Sequence, residues 1–213
     1  MSIRPLLILT MAAAATLTAA EPGFVSLFNG KDLTGWTLVS KKGGGYIVRE
    51  GGIIQCADGG GGNLLTDKEY SDFVLKVEFK LPPGGNNGIG LRAPLSGDVA
   101  YSGVEIQVLD QDHEKYKGWL KDWQRTGSFY NVFPATGDAL KPQGQWNEYE
   151  ITVKGTKYQV VLNGKKILDA DTSTVKDPEI LKKHPGLQRT SGRVGFLGHN
   201  DPVEFRNIRI KTL

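Results

Sequence analysis

Glu105, Gln107 and Asp110 are spaced as Glu-x-Gln-x-x-Asp in the run Gly103-Val104-Glu105-Ile106-Gln107-Val108-Leu109-Asp110. On a strand, side chains alternate with a period of two, so Glu105 and Gln107 share one face while Val104, Ile106 and Val108 take the other. The apolar face belongs against a core. A carboxylate on the opposite face can move a proton, and an amide beside it can hold a hydroxyl or a developing oxyanion. Upstream, Gly88-Ile89-Gly90-Leu91-Arg92 puts Ile89 and Leu91 on one face and Gly90 and Arg92 on the other. If the two strands are neighbours, Arg92, Glu105 and Gln107 converge on one polar surface. His199 ends a later run, beside the turn Asn200-Asp201-Pro202, where a functional histidine could sit, although a single histidine is often only a hydrogen-bonded surface residue.

The elements that must position these groups are short strands. Residues 73–81 alternate Phe73, Leu75, Val77, Phe79 and Leu81 with Lys76, Glu78 and Lys80, the pattern of an antiparallel strand with one wet face. Residues 46–55 predict a hairpin turning at 50–52, and Asn163-Gly164 suits a type I′ turn between 158–162 and 165–168. Strand character is also expected at 129–132, at 146–154, and in a final hairpin pairing 193–199 with 203–211. Asp177-Pro178 opens a two-turn helix ended by His184-Pro185-Gly186, which makes His184 a helix-terminus residue. Periodicity is lost over 111–128. That loop holds His113, Tyr116, Trp119 and Trp123, and long loops with aromatics are often functional. The alternative is that Trp119 and Trp123 pack together on one helical turn. Many short strands, glycine turns and one small helix make this an all-β chain, a two-sheet antiparallel β-sandwich or jelly roll.

Composition narrows the class. Arg4, the apolar residues 6–17 and Thr18-Ala19-Ala20 predict a signal peptide over 1–20, cleaved after Ala20. Its apolar run is shorter than the ~20 residues of a membrane span, so no stable membrane insertion is expected after cleavage. Residues 21–213 form a single domain, periplasmic or secreted. Lys and Arg number 26 against 23 Asp and Glu, without charge runs, so no nucleic-acid partner is expected. Cys56 is the sole cysteine, which excludes an intrachain disulfide and suggests a buried small hydrophobe. Asp110, Asp112, His113 and Glu114 could offer oxygen ligands to calcium or another divalent metal, but no cofactor is implied. The sequence leaves the oligomeric state open.

Seven segments together resemble one family. They are 27–36 (Leu-Phe-Asn-Gly-Lys-Asp-Leu-Thr-Gly-Trp), Tyr70-Ser71-Asp72-Phe73, Asn86-Asn87 leading into 88–92, 103–110, Thr126-Gly127-Ser128-Phe129-Tyr130, Trp146-Asn147-Glu148 and 205–210. In that order they resemble the 3-keto-disaccharide hydrolase family of exported bacterial proteins, over about 24–211. The resemblance implies a concanavalin A-like jelly roll with a sugar-holding face carrying Arg92, Glu105, Gln107, Tyr130 and His199. It also draws in Asn86 as a substrate-binding residue. Asn87 departs from the family's usual serine.

The resemblance implies cleavage of 3-keto-glycosides by elimination across carbons 1 and 2, then hydration. His199 or Glu105 is then the base, Tyr130 a proton donor, and Arg92 with Gln107 stabilise the enolate or sugar hydroxyls. Two alternatives stand beside it. A lectin-like module would use the same polar groups for hydroxyls, with Trp119 or Trp123 stacking on a ring. A conventional retaining glycosidase would pair Glu105 with a second carboxylate ~5–5.5 Å away. Strict alternation turns Asp110 away from Glu105, so only a bulge would bring them together.

Overall fold

The computed structural model describes residues 21–137 and 139–213. The expected leader over 1–20 lies outside them. In chain order the strands are β1 (Val25–Ser26), β2 (Trp36–Lys42), β3 (Tyr46–Arg49), β4 (Ile53–Cys56), β5 (Gly61–Thr66), β6 (Phe73–Lys80) and β7 (Asn86–Ala93). After α1 (Val99–Ser102) come β8 (Val104–Leu109), β9 (Trp146–Lys154), β10 (Lys157–Leu162) and β11 (Lys165–Asp171). Then follow α2 (Pro178–Lys183), β12 (Arg193–His199) and β13 (Glu204–Thr212). One sheet has eight strands, in the order β11-β10-β9-β6-β13-β4-β3 with β1 added against β13. The other has five, in the order β2-β5-β12-β7-β8. The pairings are antiparallel, and the architecture is the all-β jelly-roll sandwich expected from the alternation.

The core lies between the sheets. Phe73, Leu75, Val77 and Phe79 of β6 meet Ile89 and Leu91 of β7 and Val104, Ile106 and Val108 of β8 in one buried cluster. Each such side chain contributes about 1.5–3 kcal/mol by leaving water. The hairpin at 46–55 forms as β3 and β4. Asn163 and Gly164 both have positive φ between β10 and β11, as a type I′ turn requires. Asp177 caps α2 by accepting from the Glu179 amide, and His184 closes that helix. Cys56 is fully buried, and burial lifts its thiol pKa to about 11.

Three local expectations fail. First, residues 129–132 form no regular strand. Phe129 makes isolated bridges to Ile106 and Phe133, and the chain reverses at Asn131, whose φ is +59°. Second, β12 and β13 are not a hairpin. The turn at 200–202 carries the chain between sheets, and Phe196 and Phe205 stack across the core with centroids 3.9 Å apart. Both strands turn an apolar face inward, so they bury it best from opposite sides. Third, Trp119 and Trp123 do not pair. Trp119 packs on Tyr116 and Trp123 on Tyr130.

The largest correction concerns Arg92. Its neighbours obey the alternation: Gly88 pairs with Gln107 and Gly90 with Glu105. At Arg92, however, φ is +46°, and the register between β7 and β12 shifts between Arg193 and Gly195. This bulge reverses the side chain. The guanidinium is buried between the sheets, where it donates to Ser71 O (2.9 Å), Gly155 O (2.8 Å), Arg189 O (2.8 Å) and Tyr158 Oη (3.2 Å). It also pairs with Asp72 Oδ1 at 3.2 Å. Arg92 therefore ties these segments together from the core side and does not share the polar face of Glu105 and Gln107.

Candidate active site

The face of the five-stranded sheet turned away from the core carries a cleft of about 380 Å³. Its floor is opened by missing side chains. Gly88 and Gly90 lie on β7 between β8 and β12, so Glu105 from β8 and His199 from β12 can reach across bare backbone. Glu105 Oε1 and His199 Nε2 are 3.9 Å apart, an ion-pair distance too long for a direct hydrogen bond. Glu105 is 3% exposed, and its Oε1 has no hydrogen-bond partner. Burial raises the pKa of its carboxyl above the ordinary value; His199 pulls it partly back. Asn86 Oδ1 is a second buried acceptor without a partner at the same cleft. Two residues that line one cleft thus each carry a buried acceptor without a protein partner.

The walls come from distant parts of the chain. Asp98 caps α1 through the Ala100 amide. Val99 then packs with Leu65, Ala93 and Leu197 in a small separate core that plants α1 on the sheet and sets Tyr101 at the cleft. The 111–128 segment is held by Tyr116, whose hydroxyl donates to Gly84 O at 2.9 Å. From it Trp119, Leu120 and Gln124 reach the cleft. The Tyr130 amide donates to Glu105 O at 2.9 Å, which fixes Tyr130 beside the carboxylate's own backbone. Burial raises its phenol pKa, reinforced by Tyr101 and Glu105. On the far side, a register shift between Val39 and Lys42 brings Ser40 and Lys42 to the rim beside Asn63.

Of the residues expected at the site, Glu105, Gln107, Tyr130, His199, Asn86 and Trp119 line the cleft together. Gln107 Oε1 accepts from the Val108 amide at 3.2 Å, leaving the amide hydrogens for a ligand. Arg92, Asp110 and Trp123 are not in the lining. Asp110 accepts from the Gly84 amide at 2.8 Å and so fastens the turn after β6. Trp123 stands edge-on behind Tyr130, with centroids 5.3 Å apart. Asn87 points to the core side, where its Nδ2 lies 3.5 Å from Tyr46 Oη. Asp110, Asp112, His113 and Glu114 do not gather: among the described residues no group of three or more potential His, Cys, Asp or Glu metal ligands comes together. Lys42, Asn63, Asp98, Tyr101 and Gln124 were not signalled by any local motif.

The family model of the 3-keto-alpha-glucoside-1,2-lyase-like domain matches residues 23–211. The chain belongs to this family. A 3-keto-disaccharide hydrolase of Bacteroides thetaiotaomicron is 30% identical, over 90% of this chain and 79% of that protein. The crystal structure of a candidate glycosyl hydrolase from Parabacteroides distasonis superimposes with a TM-score of 0.75 at 30% identity, covering 90% of this chain and 94% of that one. A carbohydrate-binding module of Bacillus subtilis shares the fold, with a TM-score of 0.56 at 14% identity, covering 84% and 96%.

In this member of the lyase-like family, Gly88 is the position on which the cleft floor depends. A Cβ there would overlap Glu105 Oε1 and lie 2.7 Å from both Glu105 Cγ and Cδ. Gly88→Ala is therefore expected to displace the carboxylate. Turnover should fall by roughly 100-fold, the size of a misplacement of about 1 Å, while stability falls by only ~1–3 kcal/mol. Steady-state kinetics beside a thermal melt checks this. Unchanged turnover would mean that the floor does not depend on the missing side chain.

Proposed function

We propose that this chain cleaves 3-keto-glycosides, 3-keto-disaccharides among them, by elimination across carbons 1 and 2 followed by hydration. The observation that carries this reading is the buried, unpartnered Glu105 Oε1, 3.9 Å from His199 Nε2 on the cleft floor. The name of the Bacteroides thetaiotaomicron relative supports the substrate class. A ketone at carbon 3 acidifies the hydrogen on carbon 2. Glu105, whose carboxyl pKa burial raises above the ordinary value and so makes the carboxylate a stronger base, takes that proton. The C2–H electrons pass first into a C2–C3 double bond with the charge on the carbon 3 oxygen, and collapse of this enolate restores the ketone, forms the C1–C2 double bond and breaks the C1–O bond. Tyr130 then protonates the departing oxygen. His199 and the Gln107 amide hydrogens hold the enolate oxygen in the interim. Water adds hydroxyl at carbon 1 and hydrogen at carbon 2, which makes the net reaction hydrolysis.

A conventional double displacement would need a second carboxylate. Asp110 is turned away, and the Asp98 carboxylate is engaged in capping α1. Export after cleavage at Ala20 is part of the same proposal, and N-terminal sequencing of the mature chain tests it.

The deciding experiment incubates the mature protein with a disaccharide and its 3-keto counterpart in heavy water, following products by mass spectrometry. Cleavage of the keto sugar alone, with deuterium entering at carbon 2, is expected. Cleavage of the unoxidised sugar would replace elimination by displacement, and binding without cleavage would make the protein a lectin.

A further inference from the structure

Val25, Leu95, Trp119 and Leu213 are the exposed large apolar side chains among the described residues, and of these only Trp119 lines the cleft. It is 52% exposed, yet it is not loose. Its Nε1 donates to Lys115 O at 2.7 Å, and its ring packs on Tyr116 with centroids 5.5 Å apart. Tyr116 is itself buried and anchored to Gly84 O. An indole aimed by a hydrogen bond and a ring contact, but left half in water, presents a flat apolar face to whatever enters. Beside it Leu120 adds apolar wall.

The cleft therefore has two chemical halves. Glu105, His199, Asn86 and Gln107 lie on the strands of the floor, and a reacting sugar has to sit there. The group on carbon 1 is what remains, and the mouth under Trp119 is where it can go. We infer that Trp119 is the platform for the leaving group and makes this chain select leaving groups with a broad apolar face, such as an aryl ring or the face of a second pyranose. This inference rests on the keto-glycoside reading above and adds a specificity-determining residue to it.

The test compares 3-keto-glucosides carrying a phenyl or a methyl group on carbon 1, with the unaltered chain, Trp119→Ala and Trp119→Phe. The unaltered chain is expected to favour the phenyl compound. Trp119→Ala should lose roughly tenfold in kcat/KM on the phenyl compound, the size of one aromatic contact, with the loss in KM and almost none on the methyl compound. Trp119→Phe cannot make the Nε1 bond but keeps a ring, so it should recover most of the preference. Equal losses on both compounds, or a loss confined to kcat, would make Trp119 a mere support of the 111–128 loop and overturn the inference. If neither compound is cleaved, the keto-glycoside reading fails on its own. Calorimetric binding of phenyl and methyl glucoside then decides: a phenyl preference that Trp119→Ala abolishes upholds the platform, and equal binding by the unaltered chain overturns it.

Discussion

Glu105→Gln is expected to reduce turnover of a 3-keto-glycoside by roughly 10²–10⁴-fold, the contribution of a positioned acid–base group. The amide preserves shape and polarity, so the loss isolates the proton acceptor. A pH profile sharpens the test. Burial holds the Glu105 carboxyl pKa above the usual glutamate value, so kcat/KM should climb with pH across a window above that value as the carboxylate forms. In the glutamine variant this limb should vanish from the residual rate. Stability should move the other way. A carboxyl that binds its proton more tightly when folded contributes stability at acid pH, and this is lost as pH rises through the folded pKa. The substituted amide does not titrate, so the variant should melt at the same temperature or higher at neutral pH. Retained turnover, within about tenfold, would remove Glu105 from the chemistry and leave His199 as the base.

Arg92→Met should do the reverse, costing stability but not chemistry. It strips the donors from Ser71 O, Gly155 O and Arg189 O and leaves Asp72 without its cation. Breaking one side of a buried charged network costs about 3–5 kcal/mol. For a chain of this size that is a fall of roughly 10 °C in Tm. Lysine should not rescue it, because a single ammonium cannot reach carbonyls arranged around a planar fork. Turnover per folded molecule should be retained, since the guanidinium lies on the core side of the sheet. An unchanged Tm with lost turnover would return Arg92 to substrate binding.

These two residues show how much of the site could be read in advance. The faces of β8 were legible because Val104, Ile106 and Val108 alternate without interruption, which fixed where Glu105 and Gln107 point. The same logic failed towards the end of β7. Nothing in Leu91-Arg92-Ala93 announces positive φ, since no glycine stands there; the bulge comes from the pairing with β12. Tyr101 and Lys42 escaped for a related reason. Tyr101 is placed by Val99 docking on Leu65 and Leu197, and Lys42 by an irregular pairing with Gly61. Both depend on partners that no local pattern names. Trp119 and Trp123 were indistinguishable as sequence; only the packing separates the one at the cleft from the one behind Tyr130.

The positions of β12 and β13 bear on how the molecule comes into being. Each is an inner strand of its sheet, β12 between β5 and β7, and β13 between β6 and β4. Without them the sandwich falls into separate pieces: β2 with β5, β7 with β8, β3 with β4, and β6 with β9 to β11. A growing chain therefore carries several half-finished sheets with open edges until residues 193–212 emerge. Closure then joins segments far apart in the chain, and such long-range pairings form more slowly than local ones. The pair of groups on the cleft floor shares this timing, since His199 arrives with the strand that closes the sheet.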